Sequence, residues 1–407
     1  MRLAQTAGVR AATSRAVPQL ARLRGSLGSF TSLGVTVAVA GVVSWVLAVV
    51  TGWRELAIMA CTCLVLVAAA VLSTLGKDEL VVDLSLAQHR VVVGQGAVGT
   101  VQASNGTSSR SRSAVVEVPV GQGAAVLSVP ALSSGDSHED VFVIPADRRA
   151  ILAVGPARTV RGDALGLARR TVIWTSATTL YVHPRTLRLP GTTSGWLRDM
   201  DGQSRNDLSS SDVVFHALRE YAPGDDRRHI HWKTFARTGK LMVRQFVDSR
   251  KSELGLVLSS RTSEYASNEE YELAVSVVGS LGLSAFRERQ EVACASGRTA
   301  LPSYNEQRLL DSLAGVELRE KEVDVLEAVQ RAQTHLTHAS VVVLVSGGAV
   351  NPAVLRAAAD RCGAHARVIA VQVALGTPAA SRRIGQHTLL TVGALEDLRR
   401  LTRTLAA

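Results

Sequence analysis

The residues with the clearest chemical potential lie in one short stretch, where two adjacent carboxylates, Asp225 and Asp226, precede two imidazoles, His229 and His231. A carboxylate and an imidazole converging on one pocket could carry hydrolysis by general acid–base catalysis. The two imidazoles would share one face of a strand, a spacing that some metal sites use. The Pro-Gly pair just before them favours a structural role, in which a turn leads to an aspartate that caps a short helix. A hydrolase using Asp225 with His229/His231 stays open as an alternative.

Other sequence signatures of catalysis are absent. The chain has no Gly-x-Ser-x-Gly, no phosphate-binding glycine loop ending in Lys-Ser/Thr, and no His-Glu-x-x-His. Its four cysteines are scattered, with Cys61 and Cys63 in an apolar run and Cys294 and Cys362 far apart. This is neither a disulfide framework nor a metal quartet. The sequence therefore predicts a non-enzymatic protein without a cofactor.

Arginines surround the acidic turn, at Arg219, Arg228, Arg237 and Arg244. Their guanidinium groups could clamp two domains together through nearby carboxylates, present a face to a partner, or bind a phosphate or nucleotide. Ile230 and Trp232 are expected to be core anchors of a short helix that ends at Gly239, with a strand following over 240–246. Whether the arginines form an interdomain joint or a binding face stays open.

The positive charge is concentrated at the N-terminus. The chain holds 45 Lys and Arg against 35 Asp and Glu, a net charge of +10, and no acid appears before Glu55. Five arginines precede the first apolar run, at Arg2, Arg10, Arg15, Arg22 and Arg24. A basic flank of this kind favours a membrane anchor over a nucleic-acid groove.

Two apolar runs, 33–50 and 56–75, follow this basic tail. Each has about the ~20 residues that cross a bilayer as a helix, and the short turn between them carries Trp53, which suits the interface. A secretory signal peptide is the alternative for the first run, but a second run follows at once instead of a cleavage site. Because arginine-rich flanks stay inside, the pattern predicts a transmembrane hairpin with both termini cytoplasmic.

The next segment, 77–188, alternates short β-branched runs with Ser/Gly clusters, for example at 104–113 and 133–137. Several short strands at this spacing predict a small antiparallel β-sandwich. Residues 189–211 are polar and rich in Gly and Ser, which predicts a mobile connection or lid.

After residue 250 the hydrophobic period changes. Strands are predicted at 254–258, 291–295, 340–345 and 368–373. Helices are predicted between and after them, one opened by the capping box Ser267-Asn-Glu-Glu270, the others at 323–336, 352–362 and 394–405. This alternation predicts an α/β fold with a mostly parallel sheet and helices on both faces.

The stretch LREYAPGDDRRHIHWKTFARTGKLMVRQF, residues 218–246, resembles the signature of the bacterial "domain of unknown function 58" family. The positions that carry the resemblance are Arg219, Tyr221, Pro223, Gly224, Asp225, Arg228, Ile230, Trp232, Ala236, Arg237, Leu241, Val243 and Arg244. Arg161–Arg169 and Tyr181–Arg185 resemble segments that lead into this motif, with Ala164 where a proline is more usual.

The resemblance implies a domain order. A basic tail (1–32) precedes the transmembrane hairpin (33–76), the β-sandwich (77–188), the linker and motif (189–250), and an α/β domain (251–407) that resembles a von Willebrand factor type A domain. Members of the family commonly occur beside MoxR-type AAA+ ATPases and other type A domain membrane proteins. The resemblance therefore implies a multi-pass adaptor or assembly factor of the bacterial inner membrane, with maturation of envelope or secreted proteins as its candidate process.

A type A domain binds a divalent cation through Asp-x-Ser-x-Ser after its first strand and a second Asp after its fourth. Here the first loop reads Ser259-Ser-Arg-Thr-Ser263, so Ser259 and Arg261 replace the Asp and the first Ser. Gly347 stands where the second acid is expected. Because hard cations need carboxylate oxygens, the sequence predicts no metal at this degenerate site, and this rim could instead contact a partner without metal.

The basic residues of the motif leave one further alternative, an anionic-lipid or nucleic-acid binder. Acidic residues interrupt the region, at Asp207, Asp212, Glu220, Asp225, Asp226 and Asp248. They break up any continuous basic stripe, so nucleic acid is not expected as a partner.

Overall fold

The computed structural model describes residues 31–74, 80–163, 165–189, 213–222, 230–248, 253–362 and 366–406. The chain divides into two compact units. The first comprises Met1–Asp147 with Ile151–Val182, and the second comprises Arg148–Ala150 with His183–Ala407. The predicted lid at 189–211 lies outside the described residues, apart from its first residue, Leu189, which is buried.

Two apolar helices open the first unit, α1 (Ser32–Thr51) and α2 (Arg54–Thr74). Gly52 ends α1 with a φ of 72°, a conformation that glycine adopts without strain. Gly41 permits close packing of the pair, because a Cβ there would lie 2.9 Å from the Cβ of Cys63. Both helices are long and apolar enough to cross a membrane, and only 17% and 11% of their apolar windows are buried, unlike the core helix of a soluble protein.

Short strands make up the rest of this part of the chain. Those described are β1 (Leu80–Leu86), β2 (Arg90–Val92), β3 (Ala97–Asn105), β4 (Ala114–Val120), β5 (Gly123–Val129), β6 (Ser137–Ile144), β7 (Ala150–Val154), β8 (Arg158–Gly162), β9 (Arg169–Ile173) and β10 (Thr178–His183). They form one sheet in the order β1-β3-β6 and a second in the order β2-β10-β7-β4-β8-β9, with β5 paired to β4.

Alternation along the strands explains how these two sheets gain a core. Strand β3, for example, is buried at every second residue, because successive side chains point to opposite faces. Val82 and Val101 from the first sheet and Val116 and Leu180 from the second belong to one buried apolar cluster. The pairings of β1 with β3, β3 with β6, β4 with β8 and β8 with β9 are antiparallel.

In the second unit, a two-stranded antiparallel sheet comes first. It consists of β11 (Val213–Glu220) and β12 (Met242–Asp248), with the short helix α3 (Trp232–Thr238) between them in sequence. The described residues 213–222 and 230–248 are called the motif arm below.

The remaining elements of the second unit alternate between strand and helix. They are β13 (Glu253–Leu258), α4 (Asn268–Arg287), β14 (Glu291–Ser296), β15 (Thr299–Leu301), α5 (Glu306–Ala314), α6 (Val325–Ala332), β16 (Ala339–Gly347), α7 (Pro352–Asp360), β17 (Arg367–Val373), β18 (Ala380–Ile384), β19 (His387–Val392) and α8 (Asp397–Ala406). The strand order is β15-β14-β13-β16-β17-β19-β18. The inner pairings are parallel, and only the outermost strands, β15 and β18, run antiparallel to their neighbours.

The two faces of this sheet carry separate cores. Leu256 of β13 packs in a cluster with Leu281 of α4 and Leu398 of α8, whereas Val257 packs in another with Val329 of α6 and Ala358 of α7. Helices therefore cover both faces, which confirms the expected mostly parallel sheet. The predicted capping box at α4 forms only in part. Ser267 accepts from the Glu270 N–H, but the Glu270 carboxylate accepts instead from the N–H of Gly348.

Candidate functional site

Four buried serines gather where parallel strands end. Ser259 and Ser260 follow β13, Ser296 ends β14, and Ser346 lies near the end of β16. Strand β14 lies on one side of β13 and the later strand β16 on the other, so the order in which the chain adds strands reverses at this point. Open α/β sheets commonly bind ligands at such a switch point, outside the carboxyl ends of the strands. This region, called the carboxyl edge, is therefore the first candidate site.

The carboxyl edge is closed by its own backbone. A Cβ at Gly347 would collide with the carbonyl oxygen of Glu264 and lie 2.7 Å from Cδ1 of Tyr265. The Tyr265 hydroxyl donates to the Ser259 carbonyl oxygen at 2.7 Å. Gly347 is thus required for the loop after β13 to rest on the end of β16, and an aspartate could not replace it without moving that loop.

Glu264 is the carboxylate that sequence reasoning missed. It lies one residue beyond the degenerate Ser-x-x-x-Ser pattern, is buried, and accepts from the Val325 N–H at the start of α6 at 2.9 Å. Burial raises its pKa most, while the Ser259 hydroxyl, the Val325 N–H and the Arg261 charge oppose that rise. Only its position on a 3-10 turn, Thr262–Glu264, brings it inward, and no local sequence signal marks that turn.

The predicted residues of the degenerate metal site are spread around this edge. Ser259 is buried, Ser263 is exposed, and the backbone of Arg261 forms a bridge with Arg319. Within the described ranges, no group of three or more His, Cys, Asp or Glu side chains is placed to hold a metal ion. The hydrogen bonds of Glu264 and Tyr265 hold the loops of the edge together, and the absence of a metal at the degenerate site stays a prediction.

The motif arm is the second candidate. Its strands pair antiparallel, with Glu220 opposite Met242 and a register shift between Phe215 and Ala217. Gly239 ends α3 with a φ of 70°, as the Thr-Gly pair predicted. His231 is engaged locally, with its Nδ1 2.6 Å from the Thr234 hydroxyl and its backbone N–H donated to Met242. It precedes a helix rather than lying on a strand, and His229, the other imidazole of the pair, lies outside the described residues.

Trp232 corrects an expectation drawn from the sequence. It was expected to be a core anchor, but 62% of it is exposed, and its ring meets that of Phe235 edge-on with centroids 6.2 Å apart. None of the seven residues of α3 is buried. Ile230, the other expected anchor, is buried and forms a bridge with Val243. The Trp232 and Phe235 rings of α3 are thus exposed, whereas Ile230 is buried.

Basic groups accompany the exposed aromatic pair. Lys233 and Arg237 lie on α3 and are exposed. Lys240, in the turn after it, is exposed and makes an ion pair with Glu220 at 3.0 Å. Exposed pairs and charges contribute only about 0–1 kcal/mol to folding, so these basic side chains are expected to add little to stability.

Several predicted motif residues cannot be placed within this geometry. Pro223, Gly224, Asp225 and Arg228, with Asp226 and His229, lie outside the described residues, as do the side chains of Arg219 and Arg244. Tyr221 is half-buried, and its N–H donates to the Leu241 carbonyl oxygen at 2.9 Å. The structure brings together Tyr221, Trp232 and Arg237 in one module, and the roles expected for the others stay predictions.

Comparison with known proteins identifies the region around this arm. Residues 217–389 match the family described as "Protein of unknown function DUF58", which confirms the resemblance drawn from the motif. The chain is 31% identical over 126 residues to the "Uncharacterized protein YeaD" of Bacillus subtilis (strain 168). That match covers 30% of this chain and 30% of that relative, so less than a third of the relative is represented.

Solved structures give weaker similarity. The CARDB domain of the PF1109 protein from Pyrococcus furiosus has a TM-score of 0.20 at 14% identity and covers 26% of this chain and 97% of its own. A beta-glucosidase from Listeria innocua has a TM-score of 0.19 at 12% identity, covering 26% of this chain and 17% of its own. The C-terminal domain of wzt also has a TM-score of 0.19 at 12% identity, with 26% and 75% covered. Likenesses of this size carry no argument about fold or function.

Glu264→Gln is expected to raise the melting temperature of the full-length protein at neutral pH. Between the ordinary carboxyl pKa and the raised pKa of Glu264, the folded state holds a proton that the unfolded state has released. The free energy of unfolding therefore falls as the pH rises through this range. The Gln amide keeps an oxygen for the Val325 N–H but carries no charge, so this pH dependence should disappear. Melting temperatures of both proteins across that range measure the effect.

The matched control is Glu269→Gln in the first turn of α4. Backbone hydrogen bonding at its own N–H and the Ser267 hydroxyl lower the pKa of Glu269, so its charge favours folding above the ordinary pKa. This variant should melt slightly lower at neutral pH, the opposite sign. An equal loss of stability in both variants would contradict the role assigned to Glu264.

Millimolar Mg²⁺ is expected to leave the melting temperature of the full-length protein unchanged. A ligand that binds only the folded state raises stability by mass action, and Ser259 and Gly347 stand in place of the two acids that would bind the ion. Thermal melts with Mg²⁺ and with chelator measure this. A clear upward shift that Ser263→Ala removes would show that the edge binds the ion after all.

Proposed function

Residues 217–389 belong to the DUF58 family, and from that premise we propose that this chain is a membrane-anchored, non-enzymatic adaptor or assembly factor. It acts with a MoxR-type AAA+ ATPase, the partner class that the family resemblance implies. Other von Willebrand type A domain membrane proteins are its further partners, and maturation of envelope or secreted proteins is the process it serves.

The exposed aromatic surface of the motif arm carries this proposal. Trp232 and Phe235 lie side by side on a helix with no buried residue, and Lys233 and Arg237 flank them. Tryptophan and arginine are among the residue types most enriched where protein partners bind tightly. Because these side chains are not in the core, core packing does not explain why they lie together. A family signature that places them in solvent favours a binding face over an interdomain joint.

Membrane anchoring rests on the two apolar helices. α1 and α2 are long enough to cross the ~30 Å hydrocarbon core and expose apolar side chains on most sides. The five arginines ahead of α1 favour a cytoplasmic N-terminus, and two spans return the chain to the same side. The protein is accordingly a multi-pass protein of the bacterial inner membrane with both termini in the cytoplasm.

Two finer fold assignments belong to the same proposal. The sheets β1-β3-β6 and β2-β10-β7-β4-β8-β9 form a β-sandwich, which their shared apolar cluster supports. The second unit is similar to a von Willebrand type A domain. Its order β15-β14-β13-β16-β17-β19 supports this, since it reverses beside its first strand and has an antiparallel edge.

Trp232→Ala and Phe235→Ala should leave folding nearly unchanged but remove partner capture. Substitutions at exposed positions away from buried contacts usually change stability by about 0.5 kcal/mol or less, whereas truncating a central aromatic at an interface often costs more than about 2 kcal/mol of binding. The measurements are the melting temperature of the full-length protein and its recovery of the adjacent AAA+ ATPase from solubilised native membranes.

The control variant is Tyr304→Ala, which removes an equally exposed aromatic ring from the loop before α5. It should retain both stability and capture. Full capture by stable Trp232→Ala and Phe235→Ala proteins would reject the binding face. Capture by an anionic lipid vesicle alone, lost in Lys233→Ala, would instead favour the lipid-binding alternative.

Topology is tested by cysteine labelling in a variant that lacks the native cysteines. Trp53→Cys, in the exposed turn between α1 and α2, should react with an impermeant reagent applied outside intact spheroplasts. Gln307→Cys, exposed on α5, should react only after permeabilisation. Labelling of Gln307→Cys from outside would overturn the hairpin orientation.

A further inference from the structure

The turn between β8 and β9, here the β8–β9 turn (Asp163 and 165–168 within the described residues), is organised by one carboxylate. Asp163 Oδ1 accepts from the Ala168 N–H at 2.6 Å, and Oδ2 accepts from the Leu165 N–H at 3.0 Å. The Gly166 N–H donates to the Asp163 carbonyl oxygen at 3.1 Å, and Gly166 has a φ of 69°. The polar backbone groups of this turn are therefore largely satisfied without solvent.

Hydrogen bonds join this turn to Thr31, the residue that precedes the first apolar helix. The Thr31 N–H donates to the Leu167 carbonyl oxygen at 3.1 Å, and its hydroxyl donates to the Gly166 carbonyl oxygen at 2.6 Å. Any side chain at Gly34 would collide with the Leu167 carbonyl. The absence of a side chain at Gly34 is thus what lets the turn rest on α1.

The second apolar helix completes the contact. Leu167 and Ala168 are buried with Ala70 of α2, and Val37 of α1 and Leu66 of α2 pack against them. Val37 lies five residues beyond the start of α1, and Leu66 lies eight residues before the end of α2. At 1.5 Å per residue, the turn reaches roughly 8–12 Å along the helices from the ends at which the chain enters and leaves them.

We propose that the β8–β9 turn inserts into the membrane interface beside the two helices, with Leu165 buried among the lipids at the headgroup–acyl boundary. The inference rests on the membrane anchoring proposed above. Leu165 is 59% exposed, and a single exposed leucine is ordinary on a soluble surface. Leu165 differs because its turn packs on two helices that face the lipid. The contacts of Leu167 with these helices set the depth of the turn.

The surroundings of Leu165 fit this environment. Backbone groups that enter an apolar layer must find partners within the protein, and Asp163 and Thr31 supply them here. Arg161 and Arg169 lie on the strands that flank the turn, and Arg169 makes an ion pair with Glu117 at 2.8 Å. The turn would thereby hold the β-rich part of this unit against the bilayer at a fixed height.

The test uses the full-length protein without its native cysteines, reconstituted in nanodiscs of phosphatidylethanolamine and phosphatidylglycerol. A spin label at Leu165→Cys should be relaxed more by oxygen, which concentrates in lipid, than by a water-soluble nickel complex. Val39→Cys on α1 is the lipid reference, and Val126→Cys on β5 is the water reference. A label at Leu165→Cys with the accessibility of Val126→Cys would overturn the inference while leaving the anchoring intact. A water signature at Val39→Cys would overturn both.

A second variant tests the contact that sets the depth. Gly34→Val, introduced with the label at Leu165→Cys, should displace the turn and change the label from a lipid to a water signature, while Val39→Cys stays lipid-exposed. Ala40→Val places the same side chain at an exposed position of α1 and should change nothing. A lipid signature at Leu165→Cys that persists in Gly34→Val would contradict the proposed clamp.

Discussion

The second unit depends on the pairing of β13 with β16, two parallel strands buried on both faces. Helices α4, α5 and α8 lie in the core on one face, and α6 and α7 in the core on the other. Apart from Glu253 and Ser340 near their starts, both strands are therefore apolar up to the serines at their carboxyl ends. At that end the strands must satisfy their own polar groups, because a buried unpaired donor or acceptor costs about 1–3 kcal/mol. Glu264 meets part of this demand by accepting from the Val325 N–H, while the Ser346 hydroxyl is buried without a hydrogen-bond partner among the described residues. Gly347 lets the loop after β13 rest on the end of β16.

The motif arm differs from the carboxyl edge in what it exposes. Ile230 and Val243 are buried in the arm, whereas the aromatic and basic side chains of its helix are exposed. Trp232, expected to be a core anchor, thus lies outside, while Glu264, a carboxylate that the sequence did not single out, lies inside. Exposed aromatic and basic side chains of this kind are the feature on which the proposed binding face rests.

Helices and strands with a repeating hydrophobic pattern were predicted well from the sequence. Features that depend on single residues or on tertiary contacts were predicted poorly. Strands such as β16, whose Val-rich run is buried on both sides, and α4, whose apolar residues recur at helical spacing, follow directly from periodicity. Strands β8, β9 and β18 were not foreseen, because their arginine-rich sequences carry little alternation. The inward position of Glu264 depends on a 3-10 turn, and the exposure of Trp232 depends on tertiary contacts that its helix does not make. Gly34 and Gly347 matter only through residues more than 80 positions away in sequence, which no local pattern encodes.

The central claim, that the motif arm is the protein's interaction surface, is tested most directly by placing a photo-activated cross-linking residue at Lys233, beside Trp232, in the full-length protein in native membranes. The same residue at Arg308, exposed on α5, serves as the reference. The account predicts a light-dependent covalent adduct with the AAA+ ATPase from position 233 and none from position 308. Absence of that adduct at position 233, or equal yields from both positions, would contradict it.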